Sequence, residues 1–81
     1  MKHARPDYDR IQDPAGLIPE DEPVFILRGQ DILAPALLDE WANNLLAHGG
    51  DLHMANIVFD HASKMREWQK HHKKKLPDLP K

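Results

Sequence analysis

Six histidines in 81 residues make metal binding the first chemistry to consider. His48, His53 and His61 are close enough in sequence to meet around a helical hairpin. Two imidazoles share a helical face when they are four residues apart, but no two histidines have that spacing. His53 and His61 would lie roughly 80° apart around a helix that turns about 100° per residue. We therefore predict no metal site and no cofactor.

Nucleophilic catalysis has few candidate residues. The chain contains one serine, Ser63, and neither cysteine nor threonine. Ser63 falls in the middle of a predicted helix, whereas a serine nucleophile must be exposed beside a base. Adjacent carboxylates such as Asp39 and Glu40 are typical of a solvated helix face. We therefore predict that the protein is not an enzyme.

Arg28 is the residue best suited to ligand binding, because a guanidinium binds phosphate or carboxylate through two parallel hydrogen bonds. It leaves the predicted strand at a point where side chains from two paired subunits could converge. We predict a small anionic ligand at this subunit boundary, anchored by Arg28 and Gln30 and walled by Trp41 or His61. The alternative is a surface ion pair of Arg28 with a carboxylate such as Asp31, worth roughly 0 to 1 kcal/mol.

The element that would position Arg28 is a single strand. Val24, Phe25, Ile26 and Leu27 are apolar without polar alternation, which is typical of a strand covered on both faces. A lone strand leaves two edges of N–H and C=O groups without partners. Because so short a chain without cysteine has little else to stabilise it, we predict a homodimer in which these strands pair antiparallel.

Two helices follow the strand. One is predicted from Ala34 to His48 and the other from Leu52 to about Lys74, with Asp51 as the N-cap of the second. So short a link predicts antiparallel packing. The fold class is mainly α: one short N-terminal β-strand followed by an antiparallel two-helix hairpin, with the strand paired between subunits. The stripes predicted to form the core are Leu37, Leu38, Trp41, Ala42, Leu45 and Leu46 on the first helix, and Met54, Ile57, Val58, His61, Met65 and Trp68 on the second.

Phe59 belongs to a second apolar strip on the same helix, together with Ala55 and Ala62. One partner helix does not cover so wide an arc, so we predict a further contact between subunits at Phe59.

The domain organisation follows composition. Residues 1–23 are predicted to form an extended proline-rich arm, 24–75 the strand and hairpin domain, and 76–81 a basic tail that contains proline. Residues 1–60 contain four Lys or Arg against eleven Asp or Glu, whereas residues 61–81 contain seven against two. The basic end favours a nucleic-acid-binding regulator as a further alternative, with Trp68 as a stacking surface, but the acidic remainder would repel a duplex. The longest apolar runs are too short to span a membrane, and we predict a cytoplasmic protein.

The segment IPEDEPVFILRGQD at 18–31, followed by LAP at 33–35 and Trp41-Ala42, resembles a family of small uncharacterised accessory proteins of tailed bacteriophages and prophages. The resemblance covers about residues 7–68 and does not include the basic end. It implies a non-enzymatic oligomer in a bacterial host cell that sequesters a nucleotide immune signal as a counter-defence. The alternative is an inhibitor or adaptor that binds a host defence or regulatory protein through an acidic face. That face comprises Glu20, Asp21, Glu22, Asp39 and Glu40.

Overall fold

The computed structural model describes residues 2–3, 5, 7 and 13–79. The chain divides into two compact units, Met1–Leu27 with Asp78–Lys81, and Arg28–Pro77. Parts of the predicted arm and tail, at 1, 4, 6, 8–12 and 80–81, lie outside the described residues. Among the residues described, no helix is long and apolar enough to cross a membrane. The elements are β1 (Lys2–His3), β2 (Pro23–Val24), α1 (Ala34–Ala47) and α2 (Leu52–His71), so the chain is mainly helical, as predicted.

The first unit contains a short parallel strand pair, in which Lys2 pairs with Pro23 and His3 with Val24. The strand predicted over 24–27 is therefore corrected to Pro23–Val24, because β1 offers only two residues for it to pair with. The chain itself supplies a partner for one edge of β2, so that edge does not require a second molecule. Pairing of this segment between subunits stays a prediction.

Before β2, the chain forms a compact turn around Asp13. Its carboxylate accepts hydrogen bonds from the backbone N–H groups of Leu17 and Ile18 at 3.3 and 3.0 Å. Its carbonyl accepts the N–H of Gly16, whose φ of 62° suits glycine. In this part of the predicted arm, the Asp13 side chain accepts backbone N–H groups that have no carbonyl partner in a regular element, and so holds the local turn.

The second unit begins with a turn that Asp31 holds in place. The Asp31 carboxylate accepts the backbone N–H of Leu33 at 2.8 Å, and its carbonyl accepts the N–H of Ala34 at 3.1 Å. Pro35 occupies the first turn of α1, where a missing N–H costs nothing. Asp31 is only 8% exposed, so its hydrogen bonds stabilise the start of α1 from inside the unit.

The link between the helices stops one helix and starts the next within four residues. The N–H of Gly49 donates to Leu46 and that of Gly50 to Leu45, the paired bonds of a Schellman motif, and Gly49 has φ 77°. Asp51 then accepts the N–H groups of His53 and Met54, which confirms the predicted N-cap. The link therefore returns α2 along α1.

The seam between α1 and α2 has small side chains at its most buried positions. The residues with no exposed surface in the two helices are all alanine: Ala34, Ala42, Ala55 and Ala62. Buried and half-buried positions recur at spacings of three and four on both helices, the pattern of coiled-coil packing. Between the buried alanines, Leu38 and Leu45 of α1 are half-buried, so larger side chains also contribute to the seam.

Backbone pairing closes the open end of the hairpin. Lys75 donates its N–H to the carbonyl of Gln30 at 2.9 Å and accepts the N–H of Ile32 at 3.1 Å. The second helix was predicted to reach Lys74, but it ends at His71. The reason is tertiary, because residues 72–75 must leave the helix for Lys75 to reach the turn before α1.

Candidate interaction surface

The hairpin exposes large apolar side chains, although its most buried residues are small. Five large side chains in the two helices are between 41% and 51% exposed. The core stripes predicted from sequence are only partly buried. Ala42 and Met65 are buried, six of the twelve residues are exposed, and the remaining four are half-buried: Leu38, Leu45, Leu46 and Val58. We call the exposed set the apolar face, and it consists of Leu37, Trp41, Met54, Ile57 and Trp68.

Helical rotation places the five residues of the apolar face on one side of the hairpin, opposite an ion pair. Asp39 and Arg66 form an ion pair across the seam. We measure angles around each helix axis from the centre of the seam, at about 100° per residue in the direction of the chain. Asp39 and Arg66 both lie at positive angles, of roughly 60–80°. The residues of the apolar face lie at negative angles, of roughly 60–120°, on both helices. In an antiparallel pair the same sense of rotation leads to the same side, so the apolar residues of α1 and α2 lie on one side of the hairpin.

Trp41 lines a groove in this face. The groove has a volume of about 240 Å³ and is lined by Trp41, Asn44, Leu45 and His48. The His48 ring is fixed by its Nδ1, which lies 2.8 Å from the Asn44 carbonyl oxygen. The groove is of a size to receive one bulky apolar side chain, as anchor residues of protein interfaces require.

Trp68 lies at the end of the apolar face next to the open end of the hairpin. Its ring is stacked on His72, with centroids 4.1 Å apart and planes 6° apart. The His72 Nδ1 lies 2.8 Å from the Trp68 carbonyl oxygen, which holds the stack in place. Gly29 lies beside the same ring. A Cβ built on Gly29 would lie 4.0 Å from Trp68 Cε3, which is an ordinary van der Waals distance. Trp68 thus contacts His72 and Gly29 while 41% of it stays exposed.

The four predicted ligand-binding residues do not line one cavity. Trp41 and His61 lie on the same side of the hairpin, since His61 falls roughly 80° from the seam on the negative side. Arg28 and Gln30 lie in the turn before α1, with Arg28 exposed and the carbonyl of Gln30 bonded to Lys75. The groove beside Trp41 contains none of the other three.

The predicted oligomer-interface residues have mixed exposure. Phe25 is 70% exposed, whereas Val24, Ile26 and Leu27 are half-buried. Phe59 is half-buried and lies on the side of the seam that carries Asp39 and Arg66, opposite the apolar face. Ile57 and Trp68 are more exposed than Phe59, and the contact between subunits at Phe59 stays a prediction.

The basic end of α2 is partly committed to contacts within the chain. Lys70 Nζ and His71 Nε2 lie 3.2 and 3.3 Å from the two carboxylate oxygens of Glu67. The hydrogen bond from Lys70, followed by that from His71, lowers the pKa of Glu67. Among residues 13–79 and the other described positions, no group of three His, Asp or Glu side chains could hold a metal ion.

Comparison with known proteins identifies no relative. No protein family, no curated protein and no solved structure matches the chain. The phage context thus remains an expectation from the sequence resemblance, and the chemistry of the apolar face has to be argued from its own residues.

Proposed function

We propose that this chain is a non-enzymatic protein-binding module whose docking surface is the apolar face of the α1–α2 hairpin. The observation that carries the proposal is an inversion of the usual burial pattern. The residues of the two helices with no exposed surface are alanines, while two tryptophans and three other large apolar side chains on one side are each between 41% and 51% exposed.

This arrangement favours association because burying the apolar face is more favourable than leaving it in water. Transfer of apolar surface out of water contributes about 25 cal/mol per Å². Large apolar side chains exposed together on one side of a protein are a common mark of an interaction site. Tryptophan contributes strongly to interface energies, and Trp68 is already held by its stack on His72.

The sequence-based alternative of an inhibitor or adaptor belongs to the same class as this proposal. The small-anion hypothesis is less well supported, because Arg28 and Gln30 lie apart from the groove that Trp41 lines. A counter-defence role would follow only if the bound partner proved to be a host protein.

Site-specific photocrosslinking in cells that express the chain tests the proposal. A benzophenone amino acid at Trp41 or Ile57 is expected to give protein adducts, because both positions lie on the docking surface. The matched controls are Asn43 and Asn56, which are exposed on the same helices but lie outside the apolar face. Equal yields at all four positions, or no adducts at Trp41 and Ile57, would contradict the proposed function.

A further inference from the structure

We propose that the occupant of the apolar face is a second copy of the chain, so that two hairpins form an antiparallel four-helix bundle. This inference rests on the proposed function and names the partner. Two hairpins with one apolar side each can bury both sides against each other, which is the architecture of bundles built from hairpin dimers.

Charge at the edges of the apolar face selects one of two face-to-face arrangements. The apolar face has an outer edge on each helix, on the side away from the other helix of the hairpin. By helical rotation, the charged residue nearest this edge is Glu40 on α1 and Lys64 on α2. A twofold axis parallel to the helices places α1 of one copy on α2 of the other, so that Glu40 of each copy approaches Lys64 of the other. A twofold axis across the helices would place α1 on α1 and bring like charges together.

The helix directions are compatible with both arrangements and do not choose between them. About either axis, every neighbouring pair in the bundle is antiparallel. Opposite ends of the helix dipoles then lie side by side. The present partner of Lys64 is Asp60, at 3.2 Å, and both side chains are about 70% exposed, so this pair costs little to exchange.

The size of the apolar face sets the expected strength of the dimer. Helices of 14 and 20 residues packed at 8–10 Å present a side of about 500 Å², so a dimer would bury about 1,000 Å² in total. That area is at the lower limit of specific interfaces. The dimer is therefore expected to dissociate at about micromolar concentrations, and the experiment must cover a wide range of concentration.

Sedimentation equilibrium of the full chain from about 1 to 500 µM measures the association, a range that brackets this affinity. We expect a reversible monomer–dimer equilibrium. Trp41→Glu should weaken it at least tenfold, because a carboxylate would be buried in the interface, whereas Asn43→Glu on the same helix should leave it unchanged. Because Trp41 is half exposed, circular dichroism should show that the Trp41→Glu variant remains folded.

Cysteine crosslinking tests the arrangement directly, since the natural chain contains no cysteine. Mixing a Glu40→Cys variant with a Lys64→Cys variant and adding a short bis-maleimide should give a crosslinked heterodimer in higher yield than either variant alone. A mixture of Asn43→Cys and Asn56→Cys variants serves as the control and should not crosslink. Crosslinking of Glu40→Cys with itself would overturn the proposed axis.

Charge reversal provides a second readout. Glu40→Lys or Lys64→Glu alone should weaken the dimer several-fold, and the double variant should restore it, because the two reversals recreate opposite charges across the interface. A chain that stays monomeric to 500 µM would overturn the dimer. If Trp41 nevertheless crosslinks to a different protein, the proposed function survives and only the second copy is wrong as its occupant.

Discussion

Gln69 donates its side-chain amide to the backbone carbonyl of Asp31 at 2.9 Å, and the same nitrogen lies 2.9 Å from the carbonyl of Gly29. This contact joins the last turns of α2 to the turn that starts α1. It fixes the register of the hairpin at its open end, as the link at Gly49 fixes it at the other.

Replacing Gln69 by leucine should destabilise the hairpin by about 1–3 kcal/mol, because two half-buried carbonyls lose their donor. Urea unfolding followed by circular dichroism measures the loss. Lys70→Leu, one position along the same helix, is the control and should cost well under 1 kcal/mol. Equal stability of the two variants would show that the contact contributes nothing to the register.

The two glycines of the link should respond differently to alanine. A Cβ at Gly49 meets nothing within 4 Å, so Gly49→Ala costs only the strain of φ 77°, about 1 kcal/mol. A Cβ at Gly50 would lie 2.8 Å from the Leu45 carbonyl oxygen, which cannot move without disturbing α1. Gly50→Ala is therefore expected to cost more than Gly49→Ala in thermal unfolding. The reverse order would contradict the tight turn described for the link.

The alanine seam should tolerate no enlargement. Ala62 has no exposed surface, so Ala62→Leu should cost about 1–3 kcal/mol by forcing the helices apart. Ala47→Leu, at an exposed position of α1, should change the unfolding free energy by less than about 0.5 kcal/mol. A stable Ala62→Leu variant would mean that the seam is loosely packed.

The pKa of Glu67 should lie below the ordinary value of a glutamate. Lys70 and His71 bond to its ionised form, so its folded pKa is lower than its unfolded pKa. The stabilisation is present above the unfolded pKa and is lost as the pH falls through the folded pKa. It will be small because the pair is exposed to solvent. Carboxyl NMR titration should show the Glu67 pKa returning toward its ordinary value in a Lys70→Ala variant, and an unchanged value would contradict the assigned cause.

Strand pairing between subunits can be separated from hairpin association. Ile26→Pro removes a backbone donor next to β2 and should abolish any dimer built on strand pairing. It should leave a dimer formed through Trp41 and Trp68 intact, because those residues lie in the other unit. Sedimentation of Ile26→Pro beside Trp41→Glu therefore identifies which of the two surfaces associates.

The sequence alone determined the elements whose causes are local. Pro35 starts α1, Gly49 ends it and Asp51 begins α2, because caps and turns depend on a few neighbouring residues. Helical spacing also identified apolar stripes on both helices. These features require no knowledge of the rest of the chain.

Only the tertiary structure decided which part of each stripe is buried. Spacing cannot distinguish a seam of Ala42 and Ala62 from one of Leu37 and Trp41, because both fall within one wide apolar arc. The choice depends on how the helices pack, which buries Ala42 and Ala62 completely and leaves Leu37 and Trp41 about half exposed. The tertiary structure also decided where α2 ends and which strand pairs with β2. Lys75 and His3 are distant in sequence from the segments with which they pair.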